Sequence, residues 1–165
     1  MNIRNVTLDD DPAVCRIYNH YIENTVITFE TSPVTEKEMH KHICEVIDSG
    51  CPWYIGEIGK EIVGYVYLHN FHPRAAFFKT KEIAIYLCKD YLGKGLGAIL
   101  LDYLLNKIDL KKIHVLMAGI TIPNERSIKT HEKFGFKQVS FMKEVGWKFD
   151  QWRDVGYWQL TFDTV

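Results

Sequence analysis

Apolar residues recur about every two residues in some segments of the chain and about every 3.6 residues in others. These two periods predict strands and helices, respectively. Apolar residues recur at helical spacing after Pro12, at Ala13, Val14, Ile17, Tyr18, Tyr21 and Ile22. A second helix is predicted to begin after Thr35, which pairs with Glu38 as a capping box, and to end at Gly50. Residues 25–33, between these helices, are expected to form an ordered loop.

The rest of the pattern is mainly that of short strands. Alternating or continuous apolar runs predict strands at residues 3–8, 53–57, 62–68, 82–87, 113–120, 136–145 and 152–162. Two further helices are predicted, one ending near Leu110 and one running from Asn124 to Gly135. The order βααβββαβαββ predicts a mixed α/β fold, and the absence of linkers or repeats favours one domain over residues 1–165.

Composition and charge narrow the classes of protein. Hydrophobic residues make up 47% of the chain and charged residues 25%, as in an ordinary globular protein. The formal net charge of -1 provides no basic surplus for binding nucleic acid. No apolar run approaches the roughly 20 residues of a membrane span, and the N-terminal residues lack an apolar signal core. We therefore expect a cytoplasmic protein that binds neither nucleic acid nor membrane.

Metal binding is not expected from the sequence. His40 and His42 lie two residues apart on a predicted helix and so do not share a face. A metal ion needs three or four converging ligands, and no such group stands out.

A glycine-rich turn between a strand and a helix is the first candidate binding site. Glycines at 93, 95 and 97 allow backbone N–H groups to converge, and a helix N-terminus adds its positive dipole end. A pyrophosphate is the natural ligand for such a turn. The spacing matches neither the P-loop nor the dinucleotide-binding fingerprint, so a purely structural turn stays an alternative.

The same turn resembles a known family. The run Leu92–Gly97, LGKGLG, is similar to the pyrophosphate-binding loop of the GNAT superfamily of acyl-CoA-dependent N-acetyltransferases, although Leu92 replaces the usual Gln or Arg. Residues 124–127, NERS, and 131–136, HEKFGF, resemble the second cofactor segment of that superfamily. The block WRDVGYWQ at residues 152–159 is similar to the phosphinothricin and methionine sulfoximine N-acetyltransferases.

The resemblance implies a GNAT fold, with a mostly antiparallel central sheet flanked by helices, and acetyl-CoA as co-substrate. Backbone groups of one strand are then expected to bind the pantetheine arm and to stabilise the oxyanion, in the manner of an added strand. The expected cofactor-binding residues are Ile85, Tyr86, Leu87, Gly93, Lys94, Gly95, Leu96, Gly97, Ala98, Asn124 and Lys133.

Two residues are candidates for acid–base chemistry. Glu82 interrupts an apolar strand pattern, which is costly inside a sheet unless the residue is exposed or functional. It matches the family's proposed catalytic Glu and is the expected general base, and a strand-end carboxylate in a salt bridge is the alternative. His131 stands where many family members have a Tyr that protonates the leaving thiolate. The alternative is a packed or cofactor-contacting histidine without acid–base duty.

Three residues are expected to bind the acceptor. Arg74 matches a substrate-side Arg of the subfamily and can hold a carboxylate, phosphinate or sulfone oxygen in a bidentate pair. A solvated loop arginine is the alternative. Phe77 and Phe29 are expected to line the pocket, with core or interface packing as the alternative.

The resulting functional hypothesis is an enzyme that transfers the acetyl group of acetyl-CoA to the primary amine of a small, amino-acid-like acceptor by direct attack. Phosphinothricin, methionine sulfoximine and methionine sulfone are the acceptors that the resemblance implies. The alternatives are an acetyltransferase for proteins or other small amines, and a non-catalytic CoA-binding regulatory module. The many rings between Gly146 and Phe162 and the subfamily resemblance imply a homodimer formed through the C-terminal strands.

Overall fold

A computed structural model describes residues 1–163 of the chain. Its strands are β1 (Asn2–Asn5), β2 (Trp53–Ile58), β3 (Glu61–Asn70), β4 (Thr80–Leu87), β5 (Val115–Ile122), β6 (Lys137–Lys148) and β7 (Gln151–Thr161). Its helices are α1 (Asp11–Asn24), α2 (Glu36–Asp48), α3 (Leu96–Leu105) and α4 (Glu125–Lys133). This order is the predicted βααβββαβαββ, and the mixed α/β fold is confirmed.

The residues divide into two compact units. The first unit comprises residues 1–20, 33–69 and 84–108, and the second comprises residues 21–32, 70–83 and 109 onward. Strand β4 therefore contributes its end to the first unit and its beginning to the second. Among the described residues, no helix combines the length and the apolar character that crossing a membrane requires.

In the first unit, β1 pairs antiparallel with β2, and β2 with β3. The end of β4 follows β3, and the Cys88 N–H donates to the Val63 carbonyl at 2.8 Å. Leu100, Leu101 and Leu104 of α3 have no solvent exposure, so this helix supplies much of the local core. Its apolar stripe explains why a helix forms directly after the glycine turn.

The strand β1 is shorter than residues 3–8 predicted. The Thr7 N–H donates to the Asp10 carboxylate at 2.7 Å, and residues Leu8–Asp10 form a 3-10 turn that leads into α1. This local side-chain hydrogen bond ends the strand early, because it offers the backbone an alternative to the sheet.

In the second unit, the beginning of β4 pairs parallel with β5, β5 pairs antiparallel with β7, and β7 with β6. Trp158 and Phe136 are each 2% exposed and anchor its core. The β6–β7 hairpin is longer than the sequence predicted, since it closes through a two-residue turn at Phe149 and Asp150, whose φ angles are 52° and 55°. The prediction ended β6 too early because no glycine marks this left-handed turn.

Candidate active site

A cleft of about 430 Å³ lies within the second unit and contains Glu82. Its lining combines apolar side chains with polar groups and comes from the 25–32 loop and from β4, β5, β6 and β7. The lining residues are Ile27, Phe29, Glu82, Gly119, Thr121, Met142, Val145, Gly146, Trp147, Val155 and Tyr157. A small cleft in which one carboxyl group lies among apolar and aromatic side chains has the character of a small-molecule site.

The carboxyl group of Glu82 has a strongly altered acidity. Burial raises its pKa to about 7, and a hydrogen bond from the Gly119 backbone partly opposes that rise. Glu82 faces Met117 in the parallel pairing of β4 with β5, so its place in the cleft is set by the sheet register. A carboxyl group that is half ionised near neutral pH is suited to accept a proton from a substrate.

Gly119 makes this arrangement possible. A Cβ atom at this position would lie 2.9 Å from the Glu82 Oε1 atom and 3.2 Å from the Tyr157 ring. Only a residue without a side chain allows both groups to approach the β5 backbone so closely. Sequence reasoning did not single out Gly119, although a glycine inside a buried strand is a recognisable signal of close approach.

Tyr157 is the aromatic neighbour of the carboxyl group. It pairs with Gly119 across β5 and β7. Burial first, and then the negative charge of Glu82, raise the pKa of its hydroxyl above the ordinary value. Tyr157 therefore stays protonated at neutral pH and can donate a hydrogen bond in the cleft.

A bulge in β6 shapes one wall of the cleft. Met142 pairs with Val155, whereas the next pair joins Gly146 to Arg153, so β6 carries extra residues between them. Glu144 within the bulge has a φ of 54°, and its N–H donates to the Asp154 carboxylate at 2.8 Å. The bulge therefore bends β6 at the point where the strand lines the cleft.

The loop that carries Phe29 is tied to the end of β6. The Lys148 Nζ donates to the Thr28 carbonyl at 2.7 Å, and the Lys148 residue is 3% exposed. The Phe29 ring lies against Gly146, where any Cβ atom would overlap it. Burial lowers the pKa of Lys148, and the charge of Glu30 opposes that change. These contacts hold Phe29 in the wall of the cleft.

His131 is buried on α4 of the same unit, with 6% exposure. Its Nδ1 atom lies 2.8 Å from the Ser127 carbonyl, and its ring meets Phe136 edge-on. Burial lowers the pKa of the imidazole, so the ring is neutral at pH 7. With Nδ1–H donating to a carbonyl, Nε2 is an acceptor and must gain a proton before it can donate one.

The other predicted residues of the second unit lie outside the cleft. Arg74 is exposed, and its backbone N–H donates to His72 Nδ1 at 3.1 Å. Phe77 packs on His72 and on Phe71, whose ring in turn meets Tyr157 edge-on. Neither Arg74 nor Phe77 is among the lining residues.

Asn124 and Lys133 mark the two ends of α4. The Asn124 side chain caps the helix by accepting from the Ser127 N–H at 3.2 Å. Lys133 is exposed in the last helical turn. The capping role of Asn124 leaves its amide NH₂ able to donate to a ligand.

The glycine turn belongs to the first unit. Gly93 and Gly95 have φ angles of 78° and 77°, and Gly95 is the N-cap residue of α3. A Cβ atom at either glycine would meet no atom within 4 Å, so open space faces both. Lys94 places its ammonium group 4.6 Å from the centre of the Tyr91 ring. An open left-handed turn at a helix N-terminus fits a pyrophosphate group.

The strand residues expected to bind the pantetheine arm come just before this turn. Tyr86 meets the rings of Tyr18 and Tyr65, and Leu87 lies close to Gly64 and Gly97. Ile85, Leu96 and Ala98 flank these contacts on β4 and α3. Among the residues that the structure describes, no group of three or more His, Cys, Asp or Glu side chains is placed to hold a metal ion.

The fold agrees with comparison to known families and structures. The model of the acetyltransferase (GNAT) family matches residues 14–136, and the chain belongs to this family. It is therefore an acetyltransferase, as the sequence resemblance predicted.

Several individual acetyltransferases are similar to this chain over nearly its whole length. A phosphinothricin N-acetyltransferase of Streptomyces viridochromogenes is 32% identical and aligns with 99% of this chain and 88% of its own length. An L-methionine sulfoximine/L-methionine sulfone acetyltransferase of Pseudomonas paraeruginosa is 31% identical over 98% of this chain and 95% of its own. The crystal structure of a phosphinothricin acetyltransferase from Sinorhizobium meliloti in complex with acetyl-CoA matches with a TM-score of 0.94 at 28% identity, covering 98% and 88% of the two chains.

Proposed function

We propose that this protein transfers the acetyl group of acetyl-CoA to the primary amine of a small amino-acid-like acceptor of the phosphinothricin, methionine sulfoximine or methionine sulfone type. The observation that carries the proposal is Glu82, whose pKa is raised to about 7 in the wall of a small cleft. The names of the relatives support the acceptor class. Each chain is proposed to form one acetyltransferase domain, and the protein is proposed to act in the cytoplasm.

Acetyl-CoA supplies the acetyl group as a thioester. The turn from Gly93 to Ala98 is proposed to hold its pyrophosphate, with the backbone of Ile85–Leu87 and the Asn124 amide along the pantetheine arm. Lys133, at the end of α4, is the further candidate for a cofactor contact. The open space at Gly93 and Gly95 supports this assignment.

The acceptor ammonium must lose a proton before its nitrogen can attack. The Glu82 carboxylate accepts this proton, directly or through one water molecule. As the N–C bond forms, the C–S bond breaks and the sulfur takes up a proton. His131 is proposed to relay that proton after Nε2 has gained it from solvent, since the neutral ring holds its proton at Nδ1.

The acceptor itself is proposed to contact Phe29 in the cleft wall, and Arg74 and Phe77 from the 70–79 loop. The ring contacts from Phe77 through Phe71 to Tyr157 couple this loop to the cleft. Arg74 provides an exposed cation for an oxo group of the acceptor.

An amine panel tests the proposed function directly. We expect thiol release from acetyl-CoA with phosphinothricin, methionine sulfoximine or methionine sulfone at kcat/KM values at least about tenfold above those for spermidine or a lysine-containing peptide. A higher value with either of the last two would favour a different acetyltransferase. No release with any amine would favour a non-catalytic CoA-binding module.

The homodimer is proposed to form through the β6–β7 hairpin. The hairpin exposes half or more of several large rings: Phe141, Trp147, Phe149 and Trp152 are 55%, 51%, 50% and 58% exposed. Trp147 and Trp152 form an edge-to-face pair across the two strands. Several large exposed rings on one hairpin are typical of an interface.

Light scattering checks this interface. At micromolar concentration we expect twice the chain mass of 19.3 kDa. Trp152→Glu is expected to give the single-chain mass, because it places a charge in the apolar contact. Ile47→Glu, at a residue of α2 that is 45% exposed, is the matched control and should stay dimeric. A single-chain mass for the wild type would refute the dimer.

A further inference from the structure

Arg153 is a cation on β7, the strand that also carries the lining residues Val155 and Tyr157. It is half-buried on β7, and its Nε atom is enclosed without a hydrogen-bond partner among the described residues. The neighbouring carboxylate of Asp154 accepts from the Glu144 backbone. Removing part of a guanidinium from water without giving it a partner is unfavourable, so this position is suited to a ligand that supplies one.

The strand geometry places Arg153 on the cleft side of β7. Side chains alternate along a strand, so Arg153 shares a face with Val155 and Tyr157, and both of those residues line the cleft. Arg153 also pairs directly with Gly146, another lining residue, and paired residues of antiparallel strands face the same side.

The charges of this unit are distributed unevenly along the cleft face. Glu82 lies near Tyr157 at one end, whereas Arg153 lies four residues away along β7, or about 13 Å between Cα atoms. Lys148 pairs with Gln151 on the face of Arg153, which adds a second cation there. The negative charge of Glu30 favours the charged form of Lys148, and the Lys148 ammonium group donates to the Thr28 carbonyl. The Arg153 end is therefore electropositive and the Glu82 end carries the carboxylate.

This polarity matches a molecule with an amine at one end and an anionic or strongly accepting oxygen group at the other. When the length of the Arg153 side chain is subtracted from the distance of about 13 Å between the Cα atoms of Tyr157 and Arg153, the space that remains is as long as a small amino acid. A guanidinium binds carboxylate, phosphinate and sulfone oxygens through paired N–H donors.

We propose that Arg153 binds an acidic or oxo group of the acceptor and so orients its amine toward Glu82. This inference rests on the proposed function. It assigns acceptor recognition to a residue inside the sheet, separate from Arg74 on the exposed 70–79 loop. Arg153 touches the acceptor away from the reacting atoms, so its removal acts mainly on acceptor binding and raises KM.

The test compares Arg153→Leu with the wild type on three acceptors: methionine sulfone, its methyl ester and methionine. For methionine sulfone we expect KM to rise by about ten- to a hundredfold, as for loss of a charge-assisted hydrogen bond. If Arg153 binds the α-carboxylate, KM for the methyl ester is the same in Arg153→Leu as in the wild type. If Arg153 binds the sulfone oxygens, KM for methionine is the same in both proteins.

Controls separate this contact from a general effect. Arg153→Lys should recover part of the loss, because an ammonium cannot reproduce the fork. Arg16→Leu removes an exposed arginine of the first unit and should leave all three KM values unchanged. Arg74→Ala, measured alongside, reports whether the loop arginine acts on the same group. Equal losses for all three acceptors, or no loss for any, would overturn the inference.

A binding measurement keeps this outcome distinct from failure of the proposed function. If the wild type acetylates none of the three amines, the proposed function falls. Stabilisation of the wild type by methionine sulfone in a thermal-shift assay, lost in Arg153→Leu, would still support the site. No stabilisation of the inactive wild type would overturn the site as well.

Discussion

Glu82→Gln is expected to lower kcat by about 10²–10⁴ at neutral pH, the usual contribution of a general base. The amide keeps the shape of the side chain and cannot accept the proton. Since only the carboxylate form of Glu82 can act as the proposed base, kcat/KM of the wild type should rise with pH and level off above the Glu82 pKa of about 7. The variant should lack this inflection, and high pH should partly restore its rate because more of the acceptor amine is then neutral.

Thiol release measured across the pH range checks this expectation. Acetyl-CoA affinity should stay near the wild-type value, since Glu82 belongs to the acceptor cleft. Glu23→Gln, at an exposed position of α1, is the matched control and should retain the wild-type profile. An inflection near pH 7 that persists in Glu82→Gln would assign the titration to another group.

Gly95→Val is expected to weaken acetyl-CoA binding by a hundredfold or more, equal to about 3 kcal/mol. The φ of 77° at this residue is unfavourable for a β-branched side chain. No protein atom lies within 4 Å of the added Cβ, so the new side chain projects into the open space at the N-terminus of α3. Calorimetry with acetyl-CoA measures the loss.

Gly50→Val provides the matched control for Gly95→Val. Gly50 has the same φ of 77° and the same absence of neighbours within 4 Å, but it follows α2. Its variant should suffer similar backbone strain, seen as a lower melting temperature, while acetyl-CoA affinity is kept. Equal affinity losses in both variants would mean that strain alone, and not the place of the turn, explains the result.

The order of the elements could be predicted because each element carries its own periodicity. Glu82 could be found for a related reason, since a carboxyl group in an apolar strand is a local anomaly that needs an explanation. The turn at Gly95 could also be predicted from the local sequence, because its glycines indicate left-handed backbone immediately before a helix.

The rest of the cleft depends on pairing between distant parts of the chain. Gly119 matters only because β4 and β7 bring Glu82 and Tyr157 to either side of it. Lys148 was expected to lie outside the strands, whereas the long hairpin makes it the last residue of β6 and buries it. The periodicity of the sequence around Gly119 and around Lys148 does not indicate these contacts, so the strand register and the burial of Lys148 are known only from the structure.

The bulge between Met142 and Gly146 has a consequence for how acceptor choice can evolve. A bulge absorbs an inserted or deleted residue without shifting the pairing of the strand on either side of it. In this protein it lies in the wall of the cleft, whereas Glu82 and Gly119 lie on other strands. Changes of length at residues 143–145 can therefore enlarge or narrow the cleft while Glu82, the proposed proton acceptor, keeps its place.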